Sequence, residues 1–136
     1  MNIHNLIERA IHARKNAYAP YSNFFVGAAL LCDDGAVYTG CNVENAAFTP
    51  GICAERVAIS TAVADGRKTF TAIAVVGGAD EIAEDCFPCG VCRQVLREFC
   101  KDDFQIVVAQ SVDKYAVYTL AQLLPNGFGP DNLSCG

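Results

Sequence analysis

Two short clusters hold residue types able to bind a metal and move protons: Cys53-Ala54-Glu55-Arg56 and Pro88-Cys89-Gly90-Val91-Cys92-Arg93-Gln94. The thiolate is the form of cysteine that binds a metal. A thiol at a helix N-terminus loses its proton more readily, because unpaired N–H groups and the positive end of the dipole lie there. Both clusters open predicted helices, and Cys89 and Cys92, three residues apart, share a helical face. Three thiolates, Cys53, Cys89 and Cys92, are one fewer than a closed structural zinc site uses; three protein ligands plus a water are the pattern of a catalytic one. Glu55 lies two residues past Cys53, too close to serve as a well-placed second ligand. It could instead hydrogen-bond the water and carry its protons. Three thiolates leave such a site net negative and poorly disposed to acidify water, so the adjacent cations Arg56 and Arg93 are candidates to offset that charge. Cys86-Phe87-Pro88-Cys89 is a second, overlapping C-x-x-C, so the register of the pair needs a decision.

These clusters need elements to hold them. From Asn2 to about Ala17, Ile3, Leu6, Ile7, Ala10 and Ile11 follow helical spacing, and Pro20 marks the end. Phe24 to Cys32 and Ala36 to Cys41 read as strands joined by Asp33-Asp34-Gly35, whose Asp-Gly step predicts an antiparallel hairpin. After Thr49-Pro50-Gly51, Cys53 to Ala64 is Ala-rich and apolar on most sides, as expected of a helix buried between layers, and Asp65-Gly66 stops it. Thr71 to Val76 is a buried strand. Pro88 suits the start of a helix that runs to about Phe99 with Val95, Leu96 and Phe99 on one face. Phe104 to Ala109 and Tyr115 to Tyr118 are further strands, and Thr119 caps a short helix to Leu124. The tail reads as loop. The alternation predicts an α/β fold, a three-layer α/β/α sandwich around a mixed sheet of about five strands.

The 136 residues, 52% hydrophobic and 18% charged, suit one domain spanning 1–136 with a sizeable core. No apolar run approaches the length of a membrane span. The start, Met1-Asn2-Ile3-His4-Asn5, lacks the basic-then-apolar layout of a secretory signal, so the chain reads as cytoplasmic. Eight cysteines could pair, but disulfide scaffolds are usually small secreted chains without such a core. Metal binding plus ordinary buried thiols fits better. A formal charge of −5 argues against holding nucleic acid through its phosphates and favours a substrate with little negative charge.

A ligand-x-Glu segment followed by Pro-Cys-x-x-Cys is the signature of zinc deaminases that act on nucleobases. With it come Tyr18-Ala19-Pro20-Tyr21-Ser22, Phe24-Phe25-Val26-Gly27-Ala28-Ala29-Leu30, Gly40-Cys41-Asn42-Val43-Glu44-Asn45-Ala46, and Leu123-Leu124-Pro125 with Phe128 beyond. Over nearly its whole length the chain resembles the small homotetrameric cytidine deaminases. The resemblance implies one Zn²⁺ per subunit on Cys53, Cys89 and Cys92, and a homotetramer whose sites are shared across subunits. Asn42 and Glu44 would bond the ribose hydroxyls, Phe24 would stack on the pyrimidine, and the Ala54 and Cys89 backbones would address the base. Phe128 would reach a neighbour's site, and Arg56 and Arg93 would hydrogen-bond the thiolates. The implied reaction is hydrolytic, in pyrimidine salvage. Water activated at the zinc adds to C4, Glu55 protonates N3 and then the departing amine, and uridine or deoxyuridine results with ammonia.

The register follows: Cys89 and Cys92 flank Gly90 within the helical turn and precede Arg93-Gln94 as in that family, while Cys86 precedes Pro88 and reads as a loop thiol. Phe48 stands where the family often has Tyr, keeping a pocket wall without its hydroxyl. His4 and His12 read as surface residues, and Cys32, Cys41, Cys100 and Cys135 as buried or incidental thiols. Spacing alone would make Phe24 a core residue and Asn42 and Glu44 turn or solvated residues; the resemblance makes them ligand contacts. Three rivals remain. One is an aminonucleoside antibiotic deaminase of the blasticidin type; another is a zinc or redox protein in which Glu55 is incidental; the third is an enzyme that edits cytosines within RNA, which the formal charge of −5 disfavours.

Overall fold

The structure, a computed structural model, describes residues 2–133. Its helices are α1 Ile3–Arg14, α2 Ala54–Ala64, α3 Gly90–Phe99, α4 Leu120–Leu123 and α5 Pro130–Leu133, and its strands are β1 Phe25–Cys32, β2 Val37–Cys41, β3 Phe70–Gly78, β4 Gln105–Ser111 and β5 Lys114–Thr119. The strands form one sheet in the order β2-β1-β3-β4-β5. Only β3 and β4 run parallel, as a crossover through α3 requires; the other neighbours are antiparallel, including the β1–β2 hairpin. This is the mixed five-stranded α/β architecture that the sequence predicts.

Alternation along the strands divides the core in two. Ala28, Leu30, Ile73, Val75, Ile106 and Val108 face α2, α3 and α4, packing with Ala58, Ile59, Leu96 and Leu120. Ala29, Ala74, Val76, Val107 and Ala109 face α1 and meet Leu6, Ile7 and Ala10. Because both faces are covered, the central strands read as continuous apolar runs. Two glycines set how closely helices approach. A Cβ on Gly27 would lie 2.1 Å from the Ala10 carbonyl oxygen in α1, and one on Gly40 would lie 2.4 Å from the Ala54 oxygen and 2.6 Å from the Ala58 nitrogen in α2. No helix is long and apolar enough to cross a membrane.

The structure corrects four expectations. Helix α1 stops at Arg14 rather than near Ala17, because the chain tightens there into bonds from Asn16 N to Ala13 O and Ala17 N to Arg14 O, and Tyr18 then bridges Val43. Pro88 does not open α3: Cys89 is its extended N-cap, with φ −68° and ψ 170°. Helix α2 is buried on one face only, through Ala54, Glu55, Ala58, Ile59 and Ala62, with Ser60 and Thr61 exposed. The tail is not all loop, since Pro130 occupies the first position of α5, where its missing N–H costs no hydrogen bond.

Candidate active site

Cys53 caps the N-terminus of α2, and Cys89 caps that of α3. Each therefore sits just before the first helical residue rather than within the first turn, still beside amides that have no acceptor within the helix. Cys92 is the third residue of α3, where a helix brings it next to its own cap. The Sγ atoms of Cys53 and Cys89 are 3.8 Å apart, those of Cys89 and Cys92 3.6 Å, and all three lie within 4.8 Å of one another. Tetrahedral corners about 2.3 Å from a zinc ion would be ~3.8 Å apart, so this donor set fits the metal and leaves one corner open. The exposure of the three falls from Cys89 through Cys53 to buried Cys92, so the cluster opens on the Cys89 side.

The surroundings of the sulfurs favour an anion at Cys53. Hydrogen bonding from the Cys92 thiol is the largest influence on Cys53 and, with bonds from Arg56 and Cys89, brings its pKa down to about 5. The same bond and burial push Cys92 up, so the pair holds one proton that a bound metal would displace. Arg56 Nη2 donates to Cys53 Sγ at 3.3 Å. Arg93 does not match the sequence expectation: its Nε donates to Pro88 O at 2.7 Å and its Nη1 to Leu123 O at 2.7 Å. Those carbonyls lie at the N-terminal approach to α3 and the end of α4, so Arg93 braces the loop leading to Cys89 while Arg56 alone bonds a thiolate.

Glu55 is 3% exposed, the one buried charged side chain among the described residues. Burial first, then the negative charge of Cys53, raises its carboxyl to about 7, where it can both take and give a proton near neutral pH. Ala54, fully buried, opens α2 with its amide outside the helical ladder. Cys86 packs against the α2 side of the core, and its thiol is pushed up to about 12 by burial, with Glu55 and Cys53 adding to the effect. It stays protonated near neutral pH, as a half-buried thiol with no cation beside it does.

Two clefts flank the candidate substrate residues. One, about 530 Å³, is lined by Phe24 and by residues 77–81 and 83–85; the other, about 370 Å³, by Tyr21, Ser22, Glu44, Asn45, Phe48 and Gly51. The thiols line neither cleft, but Phe24 and Glu44 border one each. Phe24, just before β1, is 43% exposed and so is not the core residue that its spacing alone suggests. Asn42 and Glu44 lie just past the end of β2 and both turn their side chains onto the backbone near Phe24. Asn42 Oδ1 accepts from Val26 N at 2.8 Å and its Nδ2 donates to Phe24 O at 2.8 Å. Glu44 Oε1 accepts from the amides of Tyr21 at 3.0 Å and Ser22 at 3.1 Å, and Oε2 from the Ser22 hydroxyl. The Ser22 hydroxyl is the main cause holding the Glu44 carboxyl below its usual range. Sequence reasoning quoted Ser22 within a motif but gave it no task; its only signal was a hydroxyl residue in a Pro- and Asn-flanked turn.

Phe128 is exposed, borders neither cleft, and is tied to α3 by Gln94 Nε2 donating to its carbonyl at 2.8 Å. Phe48 packs edge-on against Tyr21, with ring centres 6.5 Å apart, and remains a wall of the smaller cleft. His4 and His12 are exposed, Cys32 and Cys100 buried and Cys41 partly so, while Cys135 lies outside the described residues.

Comparison with known proteins agrees with this geometry. The chain is 43% identical over 134 residues to a cytidine deaminase of Sporosarcina psychrophila, covering 98% of this chain and 96% of that one. The crystal structure of cytidine deaminase from Burkholderia pseudomallei superposes with a TM-score of 0.86 at 48% identity, covering 94% of this chain and all of that one. That of the Mycobacterium tuberculosis cytidine deaminase gives 0.82 at 38% identity, over 95% and 98%. Residues 1–108 match the family described as the cytidine and deoxycytidylate deaminase zinc-binding region, and it is to this family of zinc-binding deaminases that the chain belongs.

Proposed function

We propose that the chain hydrolyses the 4-amino group of cytidine and deoxycytidine, releasing ammonia and leaving uridine or deoxyuridine. The observation that carries this reading is the meeting of two helix N-termini, which bring three thiols and the buried carboxyl of Glu55 together. Cys53, Cys89 and Cys92 would hold the zinc. When bound, zinc supplies the Lewis acidity that makes water a nucleophile at neutral pH. Glu55, with its carboxyl raised to about 7, takes the proton that this water gives up, delivers it to N3 of the pyrimidine, and carries the next to the departing amine. Arg56, with the Cys92 thiol as the larger influence, helps keep Cys53 anionic and draws negative charge from its sulfur.

The exposed Phe24 ring offers a stacking face for the base, and the amides at the starts of α2 and α3, at Ala54 and Cys89, are donors for its polar edge. Asn42 and Glu44 keep lone pairs and one amide proton beyond those spent on the backbone, enough to hold two ribose hydroxyls. The formal charge of −5 favours a neutral nucleoside over a nucleotide. The exposed Phe128 ring supports a homotetramer with sites completed by neighbours. The reading also places the chain in the cytoplasm, in pyrimidine salvage.

The test is Glu55→Gln, assayed by loss of cytidine's ultraviolet absorbance together with zinc content. The variant should keep one zinc per chain and lose turnover by at least about a thousandfold, the scale at which a proton carrier acting in several steps contributes. Zinc retained with turnover intact would remove Glu55 from the chemistry. A panel of cytidine, deoxycytidine, deoxycytidylate and an aminonucleoside antibiotic then assigns the substrate.

A further inference from the structure

The segment Tyr21–Phe24 carries more order than an exposed turn needs. Asn23 has φ 56°, a left-handed conformation that Asn tolerates better than most residues, and its amide bonds Ala19 O at 3.0 Å. The reversal this makes turns Phe24 out of the β1 line at the edge of the larger cleft. Both backbone polar groups of Phe24 are then held by side chains: its amide donates to Ser22 Oγ at 3.0 Å, and its carbonyl accepts from Asn42 Nδ2. Ser22 Oγ, while accepting from Phe24, donates its own proton to Glu44 Oε2. Donation to a carboxylate polarises a hydroxyl and strengthens what it accepts, so the two bonds support one another.

The Glu44 carboxylate has roughly four lone-pair positions. The amides of Tyr21 and Ser22 occupy those of Oε1, and the Ser22 hydroxyl takes one of Oε2. One position on Oε2 is left for a ligand hydroxyl, and the Ser22 hydroxyl decides which way it points.

We infer that Ser22 is a positioning residue that couples the ring of Phe24 to the carboxylate of Glu44, fixing the distance between the face that receives the base and the oxygen that receives the sugar. The inference rests on the reading of Phe24 as base contact and Glu44 as ribose contact. Ser22 touches neither the metal cluster nor Glu55, so its work is in binding rather than in proton transfer.

Steady-state kinetics on the zinc-loaded enzyme tests this. Ser22→Ala should raise KM for cytidine about tenfold, the effect of one strong hydrogen bond, with kcat, zinc content and Tm near those of the parent. Ser22→Thr and Ser22→Val have the same shape and differ only in the hydroxyl, so Thr should hold KM near the parent and Val should raise it like Ala. Equal KM values for Thr and Val would overturn the inference, as would a Ser22→Ala loss confined to kcat. Phe24→Ala separates the underlying reading: if it raises KM while Ser22→Ala does not, only the positioning role falls. If Phe24→Ala leaves KM unchanged, the base-stacking reading falls and takes this inference with it.

Discussion

Cys86 and Cys89 are three residues apart, and either could have been read as the first thiol of the pair; the structure separates them by environment. Cys89 caps α3 with its sulfur 3.6 and 3.8 Å from the other two, whereas Cys86 is tucked against Gly77, where a Cβ would come within 2.6 Å of its Sγ. Cys86→Ala should therefore leave zinc content and turnover near the parent, with a Tm loss of a few degrees for roughly one lost core sulfur. Cys89→Ala should lose the zinc, and turnover with it. Zinc lost from the Cys86 variant and kept by the Cys89 variant would move the site by three residues. At this scale the cluster of three thiols was legible, because thiols at helix starts and a carboxyl two residues on are a chemical pattern with few other uses. What the sequence hid was where hydrogen bonds go. Arg56 and Arg93 each follow a key residue, yet only Arg56 reaches a sulfur, since Arg93 on α3 finds the Pro88 and Leu123 carbonyls first. The grip of Asn42 and Glu44 on the backbone around Phe24 is a matter of tertiary placement that no local spacing encodes.

At the scale of elements, the site depends on how closely α2 lies on β2. A methyl on Gly40 would meet the backbone of Ala54 and Ala58, and backbone cannot rotate aside as a side chain can. Gly40→Ala should cost about 2 kcal/mol, or roughly 5–10 °C in Tm, and push out the helix that carries Cys53 and Glu55. Gly27→Ala makes an equally close contact, but with α1, which holds no thiol. The two variants should lose similar stability, while only Gly40→Ala weakens zinc retention against a chelator. Equal zinc retention would mean that the metal cluster tolerates movement of α2. Element types were readable from periodicity and from the Asp-Gly turn, whereas the ends slipped wherever a residue has two uses. Proline favours a first helical position, yet the chain applies that rule at Pro130 and not at Pro88, where Cys89 takes the cap instead.

For the whole molecule, the question is what its exposed aromatic rings are for. Phe128 is 56% exposed, and its backbone is anchored to α3 by Gln94, so the ring is presented outward from a fixed base. An apolar ring held in this way gains its value by burial against another surface, which the proposed tetramer provides. If each site needs its own Glu55 and a neighbour's Phe128, then Phe128→Ala and Glu55→Gln should each be impaired alone. Mixed tetramers, made by unfolding the two together or by co-expression, should regain activity, because a chain with an intact Glu55 can then receive an intact Phe128 from beside it. With random mixing of equal amounts, roughly a quarter of the sites hold both residues, which sets the expected recovery against the parent enzyme. Activity no higher than the average of the two separate variants would mean that Phe128 serves its own chain. Light scattering on the same samples, reading a tetramer throughout, would ensure that the comparison is between assembled sites.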